Sequence, residues 1–229
     1  MKQTKKYEFT NETKIICGVT LKRIKRLFDG KVGGWIEKEE NLSQEGTCWV
    51  DGSARVYGSA RVFGSAQVYG SAWVYGSAQV HGLAHVHGTA EVYGLTHVCD
   101  SAEVYGSAHV HGSAEVYGSA QVFELASVHG SARVHGSAQV HGSTHVNGSA
   151  EVFGSAVLVR KECLLSVTWK SYTITITPQN ISIGCKLWTR GTFNKTYKEV
   201  GKAKGMSDEL ITEFKSIVKL GTKIVKRVK

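Results

Sequence analysis

From Val50 to Val152 a valine falls at every sixth position without a miss, eighteen in succession. The unit is typified by Val56-Tyr57-Gly58-Ser59-Ala60-Arg61, with the second and sixth positions variable. Six residues are too few for a helix-turn-helix or a hairpin unit. They suffice for one short strand and one corner, and a fixed period of this length marks a β-helix. Side chains flanking a buried strand residue point to the opposite face, so Val56 faces inward while Arg55 and Tyr57 face outward. Gly58 and Ser59 make the corner, where glycine relieves backbone strain. Ala60 is small enough to tuck beneath it. Three hexads close a triangle, so residues eighteen apart stack at about 4.8 Å. Eighteen hexads then give about six coils, a prism of roughly 30 Å.

An open β-helix exposes unpaired strand edges at both ends, so atypical caps are expected there. Residues 1–47 read as an N-terminal cap, 48–159 as the coil and 160–229 as a basic α+β module. Lys14 to Phe28 reads as strand-rich, although Leu21, Ile24, Leu27 and Phe28 also fit a helical stripe. In the C-terminal module, Leu164 to Thr168, Tyr172 to Thr177 and Asn180 to Cys185 alternate as three short strands, with Pro178-Gln179 as a turn. Ser207 caps a helix with Asp208 and Glu209 in its first turn. Leu210, Ile211, Phe214, Ile217, Val218, Ile224 and Val225 form one apolar stripe, and Lys219, Lys223, Lys226 and Lys229 crowd its far end.

The repeats resemble the left-handed parallel β-helix of hexapeptide-repeat proteins. The left hand is implied by that resemblance, not by the spacing. Residues 33–46, Gly-Gly-Trp-Ile-Glu-Lys-Glu-Glu-Asn-Leu-Ser-Gln-Glu-Gly, run into Cys48-Trp49-Val50 and the Gly-Ser-Ala-x-Val repeats. Together they resemble a family of hexapeptide-repeat proteins encoded by phages and prophages. The resemblance supplies no catalytic residues. It implies a mobile-element origin and a role inside an infected bacterium.

Charge is unevenly spread. Residues 1–47 carry net +3, residues 48–159 net −4 and residues 160–229 net +10. An anionic partner is therefore expected at the C-terminal module. The five cysteines, Cys17, Cys48, Cys99, Cys163 and Cys185, include no CxxC pair. That argues against a zinc or disulfide framework and fits a reducing cytosol. No signal peptide or membrane span is expected from the sequence.

All ten histidines lie in the repeats, each beside an inward valine. Stacking by eighteen predicts three outer rows. Tyr57, Tyr75, Tyr93, His111, His129 and Asn147 make one. Phe63, His81, Cys99, Tyr117, His135 and Phe153 make another. Asp51, Tyr69, His87, Tyr105, Phe123 and His141 make the third. Ring-on-ring stacking stabilises a sheet by itself and explains most of these residues. Metal binding competes with that reading, but no Cys/His/Asp set completes a four-ligand site. Acyl transfer is the best-known activity among hexapeptide-repeat enzymes, yet no hexad is interrupted by a pocket-forming loop. Binding remains, because three aromatic rows exceed what a soluble monomer exposes. Leu83, Leu95 and Leu125 add apolar spots at three different corners.

The sequence thus reads as a non-catalytic phage-type binding protein with no metal or cofactor. Its role would be counter-defence: capture of a host protein, or sequestration of an anionic nucleotide. The alternatives are an acyltransferase and a rigid virion component. A homo-oligomer is expected, a trimer before a dimer, and no membrane partner. The ligand-binding candidates are Lys186, Trp188 and Arg190, where two cations flank one ring, then Tyr57, Tyr75, Tyr93, His111 and His129.

Overall fold

The computed structural model describes residues 5–158, 165–169, 172–176, 180–183, 186–203 and 205–226. Three strands open the chain: β1 (Tyr7–Ile16), β2 (Val19–Arg26) and β3 (Val32–Ile36). β1 and β2 form an antiparallel hairpin, and β3 runs antiparallel to β2. The turn is Cys17-Gly18, with φ of 49° and 77°. Two successive positive φ angles suit the twist of a two-residue hairpin. Of the two readings open for Lys14 to Phe28, the strand is the one adopted.

Nineteen two-residue strands follow, β4 to β22, from Trp49–Val50 to Val157–Leu158. Strands three places apart pair in parallel, from β4 with β7 to β19 with β22, so three sheets form the faces of a parallel β-solenoid. Val86 lies opposite Val68 and Val104, as stacking by eighteen requires. The backbone groups are satisfied from coil to coil. Trp73 N–H donates to Ala90 O (2.9 Å), Tyr75 N–H to Val92 O (3.0 Å) and Ser77 N–H to Gly94 O (2.8 Å). From Val50 to Val152 the interior is a buried column of valine and alanine, with threonine at Thr96 and Thr144. Larger side chains stand at its ends: Ile36 and Leu42 in the first turn, and Leu158 at the valine position of the last strand.

The solenoid has about seven turns, one more than the unbroken hexads give. The additional turn lies in the segment read as a cap. Ile36 pairs with Val56 and Leu42 with Val62, twenty residues on instead of eighteen. Two extra residues between Leu42 and Val50 hide this turn from a six-residue count.

The residues that carry the family resemblance are the ones that close this first turn. A Cβ on Gly33 would lie 2.6 Å from Trp49 and 2.7 Å from Val50 O, and one on Gly34 2.8 Å from Ala54 O. Glycine is required there for space. Asn41 is buried, donates to Gly58 O (3.1 Å) and Ala60 O (2.8 Å), and accepts from Lys38 N–H (3.0 Å). Gln44 Oε1 accepts from Lys6 N–H at 2.8 Å. The Tyr7 hydroxyl donates to Leu42 O at 2.8 Å. The hairpin continues one sheet past the first coil, so that parallel edge is covered.

Corners place glycine at positive φ. At Gly88 (φ 69°) an added Cβ would meet Gly106 O at 2.8 Å and Gly106 N at 2.9 Å. Asp100 and Glu124 occupy the same slot at φ 57° and 59°. Each offsets the strain by accepting an N–H from the glycine one coil on: Gly118 at 3.0 Å and Gly142 at 2.7 Å.

Four antiparallel strands in sequence order form the C-terminal sheet: β23 (Leu165–Trp169), β24 (Tyr172–Ile176), β25 (Asn180–Ile183) and β26 (Lys186–Thr189). Two helices follow, α1 (Arg190–Ala203) and α2 (Asp208–Lys226). The three expected strands appear within two residues of their expected bounds. β26 and α1 are additional. The expected Pro178-Gln179 turn lies outside the described residues. Ser207 Oγ accepts the N–H of Leu210 at 3.3 Å, the expected cap. Ile174, Ile176, Ile181, Phe193, Phe214 and Val218 make a separate small core. Among the described residues, no helix is long and apolar enough to cross a membrane.

Candidate functional site

The three outer rows form as stacking by eighteen requires. Tyr57, Tyr75, Tyr93, His111 and His129 lie face to face, with centroids 4.8–5.1 Å apart and planes within 6°. Tyr69, His87, Tyr105, Phe123 and His141 make an equally regular ladder at 4.5–5.0 Å. The third row is broken at Cys99. It keeps Phe63 on His81 (4.7 Å) and His135 between Tyr117 (4.6 Å) and Phe153 (5.2 Å).

This geometry decides what the rows can do. Each inner ring gives both faces to its neighbours, so a base cannot stack on it. What remains outward is ring edges and polar tips. His111 and His129 are parallel, and the lone pairs of parallel rings do not converge on one metal ion. Among the described residues, no group of three or more His, Cys, Asp or Glu is placed to hold a metal. Burial lowers the pKa of His81, His87 and His111, and for His111 the neighbouring His129 and His109 add to it. Burial, reinforced by Glu91, also holds the Tyr75 hydroxyl well above its ordinary range, and that hydroxyl donates to Glu91 at 3.2 Å. At neutral pH the Tyr57–His129 row therefore presents neutral rings at Tyr75 and His111.

Of the C-terminal candidates, Trp188 alone has a described side chain. Trp188 lies on β26 opposite Ile181, half-buried, with its ring 5.9 Å from the buried Phe193 in an edge-on contact. It packs on the module's own core. Lys186 opens β26 and Arg190 opens α1, and their side chains lie outside the described residues.

The same module holds a different cationic site. A groove of about 370 Å³ runs between α1 and α2. Phe193, Tyr197 and Val218 form its apolar floor, and Lys215, Lys219 and Lys223 its rim. The lysines are four residues apart on α2, so they share one helix face. Lys215 Nζ sits 5.0 Å from the Tyr197 ring centroid, a cation–π distance. An apolar floor under a row of ammonium groups suits a flat ring that carries negative charge. In the sequence alone Lys219 and Lys223 suit the helix dipole. Their four-residue spacing with Lys215 is the signal of a shared face, and the facing helix α1, which no local pattern announces, makes that face a groove. A second groove of similar size lies beside Glu39, Glu40 and Arg61, where its carboxylates disfavour anions.

No family model matches the sequence, and no curated protein matches it. The class is defined by the fold alone: a parallel β-solenoid with a small C-terminal α/β module.

Proposed function

We propose that the protein is a non-catalytic binding protein that sequesters an anionic, ring-bearing ligand of the nucleotide class in the groove between α1 and α2. The carrying observation is the lysine rim of Lys215, Lys219 and Lys223 above a floor of Phe193, Tyr197 and Val218. The charge distribution supports it, since residues 160–229 carry net +10 while the coil carries net −4. The groove volume falls within the usual range of small-ligand sites. In this reading the solenoid is a rigid scaffold. A phage origin, a site of action in the host bacterial cytoplasm and a counter-defence role rest on the resemblance of residues 33–46 and the repeats.

Capture of a host protein is a second reading, favoured by Leu83, Leu95 and Leu125. They stand 61%, 62% and 64% exposed at three corners where serine is the rule. Calorimetric titration with mono-, di- and cyclic nucleotides tests the first reading. Changing Lys215, Lys219 and Lys223 together to Gln is expected to weaken binding by at least about tenfold at low salt. The difference shrinks at high salt. Equal affinity in the triple variant, or turnover of an acyl-CoA by the wild type, would contradict the proposal.

A further inference from the structure

A second set of cations gathers on the N-terminal hairpin and the first coils, where nothing in the preceding reading uses them. Strand pairing puts Arg23 opposite Trp35, Trp35 opposite Arg55, and Arg55 opposite Trp73. Lys14 reaches across β2, its Nζ 4.0 Å from the Trp35 ring centroid, and the Arg23 guanidinium lies 5.2 Å from the same ring. The Arg55 guanidinium lies 4.5 Å from Trp73. Three cations thus share one short column with two indoles.

Their compensation is incomplete. Arg23 pairs with Glu12 at 3.3 Å. Glu91, the next acid in the column, lies beyond Trp73 and already takes the Tyr75 hydroxyl at 3.2 Å, with His109 at 3.9 Å. Arg55 Nε is buried and has no hydrogen-bond partner among the described residues. A buried guanidinium N–H left unpaired costs stability. Lys14 and Arg23 share the Trp35 ring and Arg55 lies over Trp73, so the indoles hold the three cations close together without neutralising them. The mutual repulsion is visible at Lys14, whose pKa is lowered to about 8 by burial, then by Arg55 and Arg23.

We propose that Lys14, Arg23 and Arg55 form a binding site for a phosphate group, walled by Trp35 and Trp73. With Glu12 set against Arg23, the cluster keeps a surplus of two positive charges. A phosphate dianion supplies two negative charges, whereas a carboxylate supplies one. The partly exposed Arg55 guanidinium presents its terminal N–H groups as the donor fork that phosphate oxygens accept. The site is separate from the groove between α1 and α2 and does not depend on it.

The test is calorimetric titration of the full chain with inorganic phosphate and with ADP, each against sodium chloride of equal ionic strength. The wild type is expected to bind at least one of the two phosphate probes beyond the chloride control. Arg55→Gln and Lys14→Gln are each expected to weaken that binding by about tenfold. Lys14 is half-buried on the edge strand of the hairpin, so Lys14→Gln keeps the fold even if Arg55→Gln perturbs it, and thermal melting of both checks this. Binding of ADP alone, weakened by these variants, identifies a nucleotide as the source of the phosphate. Binding of both probes leaves inorganic phosphate sufficient. In the Lys215→Gln, Lys219→Gln, Lys223→Gln variant the groove's own share of ADP binding falls, while inorganic phosphate binding and the share of ADP binding sensitive to Lys14→Gln and Arg55→Gln are expected to remain. Affinity unchanged in Lys14→Gln and Arg55→Gln, or no wild-type response to either probe, overturns the proposal. ADP binding lost only in the triple variant would overturn it while leaving the groove reading intact.

Discussion

Two buried threonines stand where the repeat has alanine, and they should respond oppositely to its restoration. Thr96 and Thr144 are both fully buried. The Thr144 hydroxyl donates to His141 O at 2.7 Å, whereas the Thr96 hydroxyl has no partner among the described residues. An unpaired buried hydroxyl costs about 1–3 kcal/mol. Deleting the accompanying methyl loses about 0.8 kcal/mol of apolar burial. Thr96→Ala should therefore stabilise the solenoid by about 1 kcal/mol. Thr144→Ala loses a satisfied hydrogen bond as well as the methyl, and should destabilise by about 2 kcal/mol. For a chain of this size the two melting temperatures should differ by roughly 6–12 °C, with wild type between them. Scanning calorimetry on the three proteins measures this. If both substitutions lower Tm alike, the Thr96 hydroxyl has found an acceptor and the reasoning fails.

Other consequences follow from the same geometry. Val104 lies in register with Val86 and Val122, so Val104→Asp buries an unpaired charge and should abolish cooperative melting, while Gln79→Asp on an outer row should shift stability by under about 0.5 kcal/mol. Lys14 titrates at about 8 in the fold against 10.5 ordinarily, among Arg23, Arg55 and Glu12. The unfolded chain then binds the extra proton between those values, so stability rises with pH across that window. Lys14→Met should melt above wild type at pH 7 and lose the advantage by about pH 10.5; an advantage that does not change with pH would refute the assignment. The half-buried ring rows call for cover, and sedimentation equilibrium should give a homo-oligomer, a trimer before a dimer; a monomer at micromolar concentration would contradict it.

The solenoid was legible because its two determinants are both periodic. Inward valine every sixth residue sets the faces, and an offset of eighteen sets the rows, so the repeat alone implies Tyr57 over Tyr75 over Tyr93. The first turn was not legible, because Ile36 and Leu42 replace valine and the step from Leu42 to Val50 is eight residues. Asn41 hid for a related reason: its polar side chain reads as loop, yet it is buried by bonding to Gly58 and Ala60. In the C-terminal module, Lys186, Trp188 and Arg190 are neighbours in sequence; Trp188 packs against Phe193, and the side chains of Lys186 and Arg190 lie outside the described residues. The groove needed the pairing of α1 with α2, which no local pattern encodes. Lys14, Arg23 and Arg55 were missed likewise, because only the hairpin's register on β3 brings them to Trp35.

The account stands most directly on what the protein holds when it leaves the cell. Purified from bacteria under native conditions, then denatured and analysed by mass spectrometry, the wild type should release a nucleotide-class anion. The Lys215→Gln, Lys219→Gln, Lys223→Gln variant, folded to the same melting temperature, should release much less. Release of an acyl-CoA, or of the same nucleotide in equal amount from both proteins, would contradict sequestration in the groove between α1 and α2.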